Sequence, residues 1–353
     1  MIRLYGHHKG ESSFVQVTRG MRVAAEAAEL LAGEVAVDLL DQERVPPGAD
    51  AAIGLFCGSP LSVTLGRSMG LHRERWLLLA PNSLGIPPAL VQRLSEPGLV
   101  TGFLAPSEWA ATVLRSEFPL HRVLVAPHGV HPEIHLPSEE AHGERIKEYT
   151  AGTFRVVHFT STLGQRKGTL ELLQAWRDWS QKPPGAQLLI VANPLAVNEY
   201  LWRGKEMGLN AAASSVGVVA NPEAPATMLA EALRYAHVVC QPSRAEGFGL
   251  IPLESRACGV PVVMTNCTGH TEFWGPQGTV TVAHGELAPL DDYPGAMAPS
   301  VSAEAIRVAL VEAFETWPAL ADEAARAADS VRSEWSWQKR NAPVLQDLVD
   351  DAR

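Results

Sequence analysis

The sequence predicts an α/β protein made of two doubly wound domains in tandem, each with a parallel sheet covered by helices. Three observations support this prediction. The 353-residue chain is long enough for two cores of ordinary size. Short apolar runs alternate with amphipathic helical patterns along its length. One stretch rich in Pro, Gly, His and charge, residues 128–153, breaks the alternation and indicates a boundary between the domains.

Residues 1–135 are expected to form the first domain, which would be Rossmann-like because buried strands and helices alternate. Its predicted strands, in order, are RLY (3–5), VAVDLL (35–40), AAIGLFC (51–57), RWLLLA (75–80), LVTGFLAP (99–106) and RVLVAP (122–127). Helices are predicted over 16–33 and 107–118, and the hydroxyl of Ser107 is suited to cap the second helix. Residues 136–152 are assigned to the linker.

Residues 153–333 resume the alternation and predict a second Rossmann-like domain, which residues 334–353 follow as a C-terminal helix. The predicted strands are FRVVHFTS (154–161), QLLIVAN (187–193), VGVVAN (216–221), HVVCQPS (237–243) and PVVMTN (261–266). The predicted helices are 169–181, 225–236, 252–259, 302–317 and 319–335, and residues 289–300 are expected to form a loop. In sheets of this kind ligands bind outside the carboxyl ends of the strands, so two such domains facing each other predict a site in the cleft between them.

Composition indicates a soluble protein of a reducing compartment. Mean hydropathy is zero, 46% of residues are hydrophobic, and no apolar run approaches the roughly 20 residues of a membrane helix. The first ten residues, MIRLYGHHKG, lack the apolar core of a secretory signal. The four cysteines show no CxxC spacing, which favours reduced thiols over disulfides or zinc. We therefore expect a cytoplasmic protein.

Charge disfavours passive binding to duplex nucleic acid. The formal net charge is −10, and residues 1–125 hold 11 Lys and Arg against 12 Asp and Glu, a net of −1, which leaves −9 for the remainder. Neutralising phosphates requires a basic surface, and this chain is acidic. The sequence also contains no D-x-D pair, the usual anchor for a divalent metal on a nucleotide diphosphate, so no metal is expected.

The stretch PSRAEGFGLIPLES, which follows the predicted strand at 237–243, carries two glutamates eight positions apart. Gly247 and Gly249 lack Cβ atoms, so their N–H groups can approach a ligand closely just before a helix. Glu246 on the loop and Glu254 in the first helical turn can each accept paired hydrogen bonds from vicinal hydroxyls. Two structural alternatives are that Glu254 only complements the helix dipole and that Glu246 only pairs with Arg244.

The stretch STLGQRKGTLELLQAW follows the predicted strand at 154–161 and places Arg166 and Lys167 just before a helix. Cations at a helix start are unfavourable for the helix dipole, so the pattern favours an anion bound beside them. The alternative is an ordinary solvated basic turn.

Two loops of the first domain are candidates for contact with a second substrate, the acceptor. One contains His7, His8, Lys9 and Gly10 after the first strand, and the other contains Asn82 and Ser83 after the strand at 75–80. Neighbouring histidines are more often surface residues than a catalytic pair, and Asn-Ser before Gly and Pro is ordinary turn chemistry.

Taken together, these motifs resemble a known family. Residues 216–273 closely resemble the donor domain of family-four retaining glycosyltransferases of GT-B fold (glycosyltransferase group 1), whose mark is two glutamates separated by seven residues. HFTSTLGQRKG resembles the phosphate-binding loop of that family, and FLAPSEWAATVL with VAPHGVHPEIHLP resembles its entry to the linker. SEWSWQKRNAPVLQDLV resembles its closing helix, which returns to the first domain. The first hundred residues match in general layout only.

The resemblance implies roles for individual residues. Glu254 would bind the ribose of a nucleotide, and Lys167 would bind its diphosphate. Glu246 would hold the transferred sugar, together with the loop residues Gly247, Phe248, Gly249 and Leu250. Thr162 stands in the donor site where relatives usually carry a phosphate-binding arginine, a place that Arg166 would fill instead.

The resemblance further implies the reaction: a metal-independent, retaining, front-face transfer of a sugar from a UDP-, GDP- or ADP-linked donor to a hydroxyl acceptor. Glu246, Lys167 and Arg166 would be the catalytic residues, and no cofactor is expected. Acceptors range from small metabolites and lipid heads to saccharide termini and a hydroxylated nucleic-acid base. One alternative is a GT-B phosphorylase or epimerase. Another is a non-catalytic partner that binds nucleotide sugars, which is suggested by Thr162 at the position where relatives usually carry an arginine.

Overall fold

The structure is a computed structural model, and it describes residues 1–6, 13–36, 53–57, 72–81, 84–160, 165–209, 215–220, 225–290 and 295–352. The chain divides into two compact units, one formed by Met1–His131 with Ser333–Arg353 and the other by Pro132–Arg332. Each unit contains its own parallel sheet and its own buried core. The expected two-domain α/β fold is confirmed.

The elements within these ranges are numbered in chain order. The strands are β1 Ile2–Gly6, β2 Leu31–Ala36, β3 Ile53–Cys57, β4 Glu74–Leu78, β5 Gly102–Ala105, β6 Arg122–Val125, β7 Thr153–Phe159, β8 Gly185–Ala192, β9 Val216–Ala220, β10 Val238–Gln241, β11 Val262–Thr265, β12 Thr279–Val282, β13 Leu287–Pro289 and β14 Met297–Pro299. The helices are α1 Ser13–Ala27, α2 Pro88–Leu94, α3 Glu108–Glu117, α4 Glu139–Thr150, α5 Thr169–Asp178, α6 Val197–Glu206, α7 Ala226–Tyr235, α8 Leu250–Ala257, α9 Ala303–Glu315, α10 Trp317–Glu334 and α11 Trp337–Asp351.

The first unit has a parallel sheet of six strands in the order β2-β1-β3-β4-β5-β6. Buried side chains from β1, β3, β4 and β5, among them Phe56 and Phe103, pack with α3 to form its core. The expected cap of α3 is confirmed, because Ser107 Oγ accepts a hydrogen bond from the Ala110 N–H at 3.0 Å. Helix α11 packs against α1, and Trp337 lies so close to Gly20 that a Cβ there would be 2.1 Å from the indole.

The second unit has a parallel sheet in the order β12-β11-β10-β7-β8-β9. Numbered from its own first strand, this is the dinucleotide-binding order 3-2-1-4-5-6, which reverses between β7 and β10. Its core includes Phe154, Trp176 and Trp317. Because ligands of such sheets bind where the strand order reverses, the carboxyl ends of β7 and β10 are the expected binding edge.

Several elements differ from the sequence prediction. Helix α1 ends at Ala27, not 33, because Glu29 takes a positive φ of 56° and the chain then enters β2, which pairs with β1. The 136–152 linker contains α4 within the second unit, and the loop expected over 289–300 carries part of the β13–β14 hairpin. Helices α2 and α6 and strand β12 were not predicted.

Candidate functional site

The loops that follow β7 and β10 are joined directly to each other. The Arg244 N–H donates to the Arg166 carbonyl oxygen at 2.8 Å. Gly168, the N-cap of α5, has φ 67° and lies so close to Pro242 that a Cβ would be 2.4 Å from its carbonyl oxygen. Below these loops, His158 Nδ1 donates to the Cys240 carbonyl oxygen at 2.8 Å and links the two strands. The place where the strand order reverses is the switch point of the sheet. The two loops at this switch point therefore pack directly against each other.

Glu246 and the two cations of the preceding loop form a buried charge cluster at this edge. Arg166 Nη1 donates to Glu246 Oε2 at 2.9 Å and to the Ala245 carbonyl oxygen at 2.8 Å, and Lys167 Nζ donates to Glu246 Oε1. The side chains of Arg166, Lys167 and Glu246 are only 13%, 19% and 10% exposed. The solvated basic turn is therefore ruled out as a description of this loop.

The cluster has a definite charge state. Burial raises the pKa of Glu246, but the opposing attraction of Lys167 and Arg166 is larger and holds this pKa well below its usual value. Burial lowers the pKa of Lys167, and Glu246 opposes that shift. One carboxylate thus faces two cations, and the cluster carries a net positive charge suited to an anion.

The backbone holds Glu246 in place from both sides. Its N–H donates to Thr268 Oγ1 at 3.0 Å, and its carbonyl oxygen accepts from the Gly269 N–H at 2.8 Å. Arg244 does not pair with Glu246, because its guanidinium binds Gln165 Oε1 and the carbonyl oxygens of the β13–β14 hairpin. The alternative in which Glu246 serves only to pair with Arg244 is wrong.

The loop Gly247–Phe248–Gly249 leads into α8, whose first residue is Leu250. Gly249 is the N-cap with φ 106°, and a Cβ there would lie 2.4 Å from the His270 ring. The Phe248 ring is buried against Phe273, with the ring centroids 5.0 Å apart. Position 249 therefore requires glycine for two reasons: its φ is positive, and a Cβ would clash with the His270 ring.

Glu254 lies two residues deeper in α8 than predicted, because the helix begins at Leu250 and not near Pro252. It is therefore outside the first turn, where a carboxylate complements the dipole best. The side chain is buried, burial raises its pKa to about 7, and Oε1 lies 3.6 Å from His135 Nε2. A role limited to the helix dipole does not explain this placement.

Two residues of this region were missed by sequence reasoning. His270 is buried, its Nδ1 donates to the Thr265 carbonyl oxygen at 3.1 Å, and burial lowers its pKa to about 4, so the ring is neutral at pH 7. His135 lies in the segment assigned to the entry of the linker. His270 has no other histidine near it in the sequence, and His135 follows His128 and His131 in one segment, so only their tertiary contacts distinguish these two residues.

Other predicted site residues lie outside the residues that the structure describes. These are His7, His8, Lys9, Gly10, Asn82, Ser83 and Thr162. In the described part of the chain, no group of three or more His, Cys, Asp or Glu side chains is placed to hold a metal ion. No helix among those residues is long and apolar enough to span a bilayer.

Comparison with known proteins adds independent information. The family model described as "Glycosyl transferases group 1" matches residues 154–305, which contain β7 to the start of α9. A D-inositol 3-phosphate glycosyltransferase from Segniliparus rotundus is 32% identical over 152 residues, which are 42% of this chain and 32% of that protein. The aligned segment thus spans about a third of the length of that relative.

A longer alignment relates the chain to a GDP-mannose-dependent alpha-(1-6)-phosphatidylinositol monomannoside mannosyltransferase from Mycobacterium tuberculosis. The two are 27% identical over 282 residues, which are 75% of this chain and 71% of that protein. This alignment reaches well beyond the second unit.

Solved structures share the architecture of the whole chain. Anabaena Alr3699/HepE in complex with UDP and glucose has a TM-score of 0.71 at 16% identity and covers 99% of both chains. Sucrose-phosphate synthase from Thermosynechococcus elongatus has a TM-score of 0.71 at 15% identity, with 99% of this chain and 98% of that chain covered. At these identities the likeness shows the fold. The chain therefore has the GT-B fold, and its residues 154–305 match the model of the group 1 glycosyltransferases.

Proposed function

We propose that this protein is a retaining glycosyltransferase that moves a sugar from a nucleotide-diphospho-sugar to a hydroxyl acceptor without a metal ion. The observation that carries the proposal is the buried cluster of Arg166, Lys167 and Glu246 at the switch point of the second sheet. Two cations beside the N-terminus of α5 form a site for a diphosphate, and the carboxylate between them is within reach of a sugar attached to it.

In this mechanism the bond between the sugar anomeric carbon and the diphosphate oxygen breaks, and its electron pair leaves with the nucleotide. Arg166 and Lys167 stabilise the negative charge that develops on the departing oxygen, in the manner of an oxyanion site. The acceptor hydroxyl attacks the same face of the sugar, and its proton passes to the departing phosphate. Glu246 positions the sugar, and the loop from Gly247 to Leu250 binds the sugar and phosphate through its backbone.

The donor base is proposed from the relatives. One solved neighbour holds UDP and glucose, and one relative is named as GDP-mannose-dependent. Uridine and guanosine donors are therefore the first candidates, ahead of adenosine donors. Glu254 would hold the ribose hydroxyls, and the acceptor would be bound by the first unit.

The test is turnover of a panel of UDP-, GDP- and ADP-sugars with the Lys167→Ala variant as comparison. We expect kcat to fall about 10²- to 10³-fold, because one of the two groups that stabilise the leaving diphosphate is lost. Lys147→Ala is the matched control, since Lys147 is exposed and pairs only with Glu144 on its own helix among the contacts described. Its kcat should equal that of the wild type.

Several outcomes would contradict the proposal. Equal turnover by Lys167→Ala and wild type would remove the diphosphate role of this loop. A requirement for inorganic phosphate as co-substrate would indicate a phosphorylase, and sugar isomers formed without an acceptor would indicate an epimerase. Donor binding without turnover across a broad acceptor panel would indicate a non-catalytic partner.

A further inference from the structure

Glu254 is a buried carboxylate whose two oxygens are in different surroundings. The residue is 5% exposed, and Oε1 lies 3.6 Å from Nε2 of His135, which is 1% exposed. Oε2 is buried and makes no hydrogen bond within the described part of the chain. Leaving such an oxygen unsatisfied is costly, so an unmet hydrogen-bond acceptor inside a binding domain indicates a place for a hydroxyl donor.

The charged groups around α8 are engaged elsewhere. Arg256 on α8 itself donates to the Phe273 carbonyl oxygen. On neighbouring elements Arg234 donates to the Leu136 carbonyl oxygen, Arg145 donates to those of Arg234 and Gly259, His142 pairs with Asp322, and Arg332 pairs with Asp329. Burial raises the pKa of the Cys258 thiol to about 12, so it is neutral. Within the described residues, His135 is the titratable side chain that lies beside the Glu254 carboxylate, at 3.6 Å from Oε1.

We propose that His135 is a positioning residue for the donor ribose: it holds Oε1 of Glu254, so that Oε2 accepts a ribose hydroxyl, and the pair makes nucleotide binding pH-dependent. This inference rests on the proposed function, because it takes Glu254 as the group that meets the ribose. It adds to the donor site a residue that precedes α4 in the second unit.

The direction of the pH dependence follows from the two protonation states. A carboxylate accepts hydrogen bonds from two hydroxyls, whereas a neutral carboxylic acid uses one oxygen as a donor. Ribose binding therefore favours the ionised form. In the free protein burial raises the pKa of Glu254 to about 7, so nucleotide affinity should rise with pH between about 6 and 8 and level off above that range.

Removing the imidazole should shift this profile. His135→Phe replaces the imidazole beside Oε1 with an apolar ring, which disfavours ionisation further and moves the midpoint to higher pH. A rise of one unit in the pKa would leave about a tenth of the carboxylates ionised at pH 7 instead of about half. We therefore expect nucleotide affinity at pH 7 to fall roughly fivefold and to recover by pH 9. His135→Gln, whose amide can still donate to Oε1, should retain most of the affinity.

The experiment measures Kd for UDP and GDP by calorimetry from pH 6 to pH 9, on wild type, His135→Phe, His135→Gln and His284→Phe. His284 is exposed and remote in sequence, so its variant should follow the wild-type profile. The 2′,3′-dideoxy form of the binding nucleotide serves as the matched ligand. It lacks the hydroxyls but keeps the diphosphate, so its pH profile isolates the titration of the phosphate.

The outcomes separate this inference from the proposed function. A wild-type profile steeper for the ribonucleotide than for the dideoxy form, with a midpoint displaced upward in His135→Phe, supports the inference. Superimposable profiles of wild type and His135→Phe overturn it while leaving nucleotide binding intact. Failure of UDP and GDP to bind wild type at any pH overturns the proposed function itself. If His135→Phe does not fold, equal wild-type pH profiles for the ribonucleotide and its dideoxy form overturn the inference.

Discussion

At the scale of single residues, the main finding is that the predicted carboxylate forms ion pairs with both predicted cations. The sequence indicated a role for Glu246 and for Arg166 and Lys167 separately, because each follows a buried strand. Their mutual contact was beyond sequence reasoning, since Lys167 and Glu246 are 79 positions apart and meet only through the strand order of the sheet. In the free protein Glu246 pairs with Arg166 and Lys167, the two cations that we propose bind the diphosphate.

This competition leads to a prediction for Glu246→Gln. Removing the negative charge leaves Arg166 and Lys167 free to bind a diphosphate, so affinity for UDP or GDP should increase several-fold. Turnover should nevertheless fall about a hundredfold, because the sugar loses the group that positions it. Calorimetry of the free nucleotide and steady-state kinetics with the matching nucleotide sugar measure the two effects independently.

Glu148→Gln is a matched control for that prediction. Glu148 also forms a close ion pair with a buried arginine, but its partner Arg155 lies near the amino end of β7, away from the binding edge. This variant should lose stability through the same kind of unpaired cation without any gain in nucleotide affinity. Weaker nucleotide binding by Glu246→Gln would show that the carboxylate does not compete with the diphosphate.

At the scale of elements, buried strands were the most predictable part of the fold. Runs such as FRVVHF and PVVMTN place apolar side chains on both faces, as is typical of central parallel strands, and they form β7 and β11. The hairpin of β13 and β14 was missed because each strand has three residues, too few for an alternating pattern. The start of α8 was misplaced because its N-cap, Gly249, carries no capping side chain.

The same N-cap allows a test of the loop that carries Glu246. Gly249→Ala should place a Cβ 2.4 Å from the His270 ring at a φ of 106°, which L side chains rarely adopt. We expect the loop to shift, with a loss of nucleotide affinity and of thermal stability. Calorimetric titration with UDP or GDP measures the nucleotide affinity, and thermal unfolding measures the stability.

Gly208→Ala separates the two causes. Gly208 also has a positive φ, 77°, but nothing lies within 4 Å of its added Cβ. This control should show the cost of the torsion angle alone, about 1 kcal/mol, without a change in nucleotide affinity. If Gly249→Ala behaved like Gly208→Ala in both measurements, close packing of His270 on the loop would have no functional consequence.

At the scale of the whole molecule, the chain builds its first unit from two separate stretches of sequence and its second unit from one continuous stretch. The first unit takes its last helix, α11, from the C-terminal end, and the residues between belong to the second unit. Within the first unit, Trp337 packs on Gly20 of α1 and beside the rings of His128 and His131. Within the second, Trp317 stacks on Tyr149 at 4.8 Å and donates to the His237 carbonyl oxygen at 2.9 Å.

Because each unit contains its own buried tryptophan, we expect that a substitution can destabilise one unit without destabilising the other. Trp337→Ala should remove about 3–5 kcal/mol of packing from the first unit, and Trp317→Ala a similar amount from the second. Hydrogen exchange measured by mass spectrometry should then rise in α1 and α11 for Trp337→Ala and in α4, β7 and α9 for Trp317→Ala. Each variant is the other's control, because both lose a fully buried indole. Equal acceleration of exchange in both units by either variant would mean that the two cores unfold as one cooperative body. Stability changes at the proposed donor site would then report on the first unit as well.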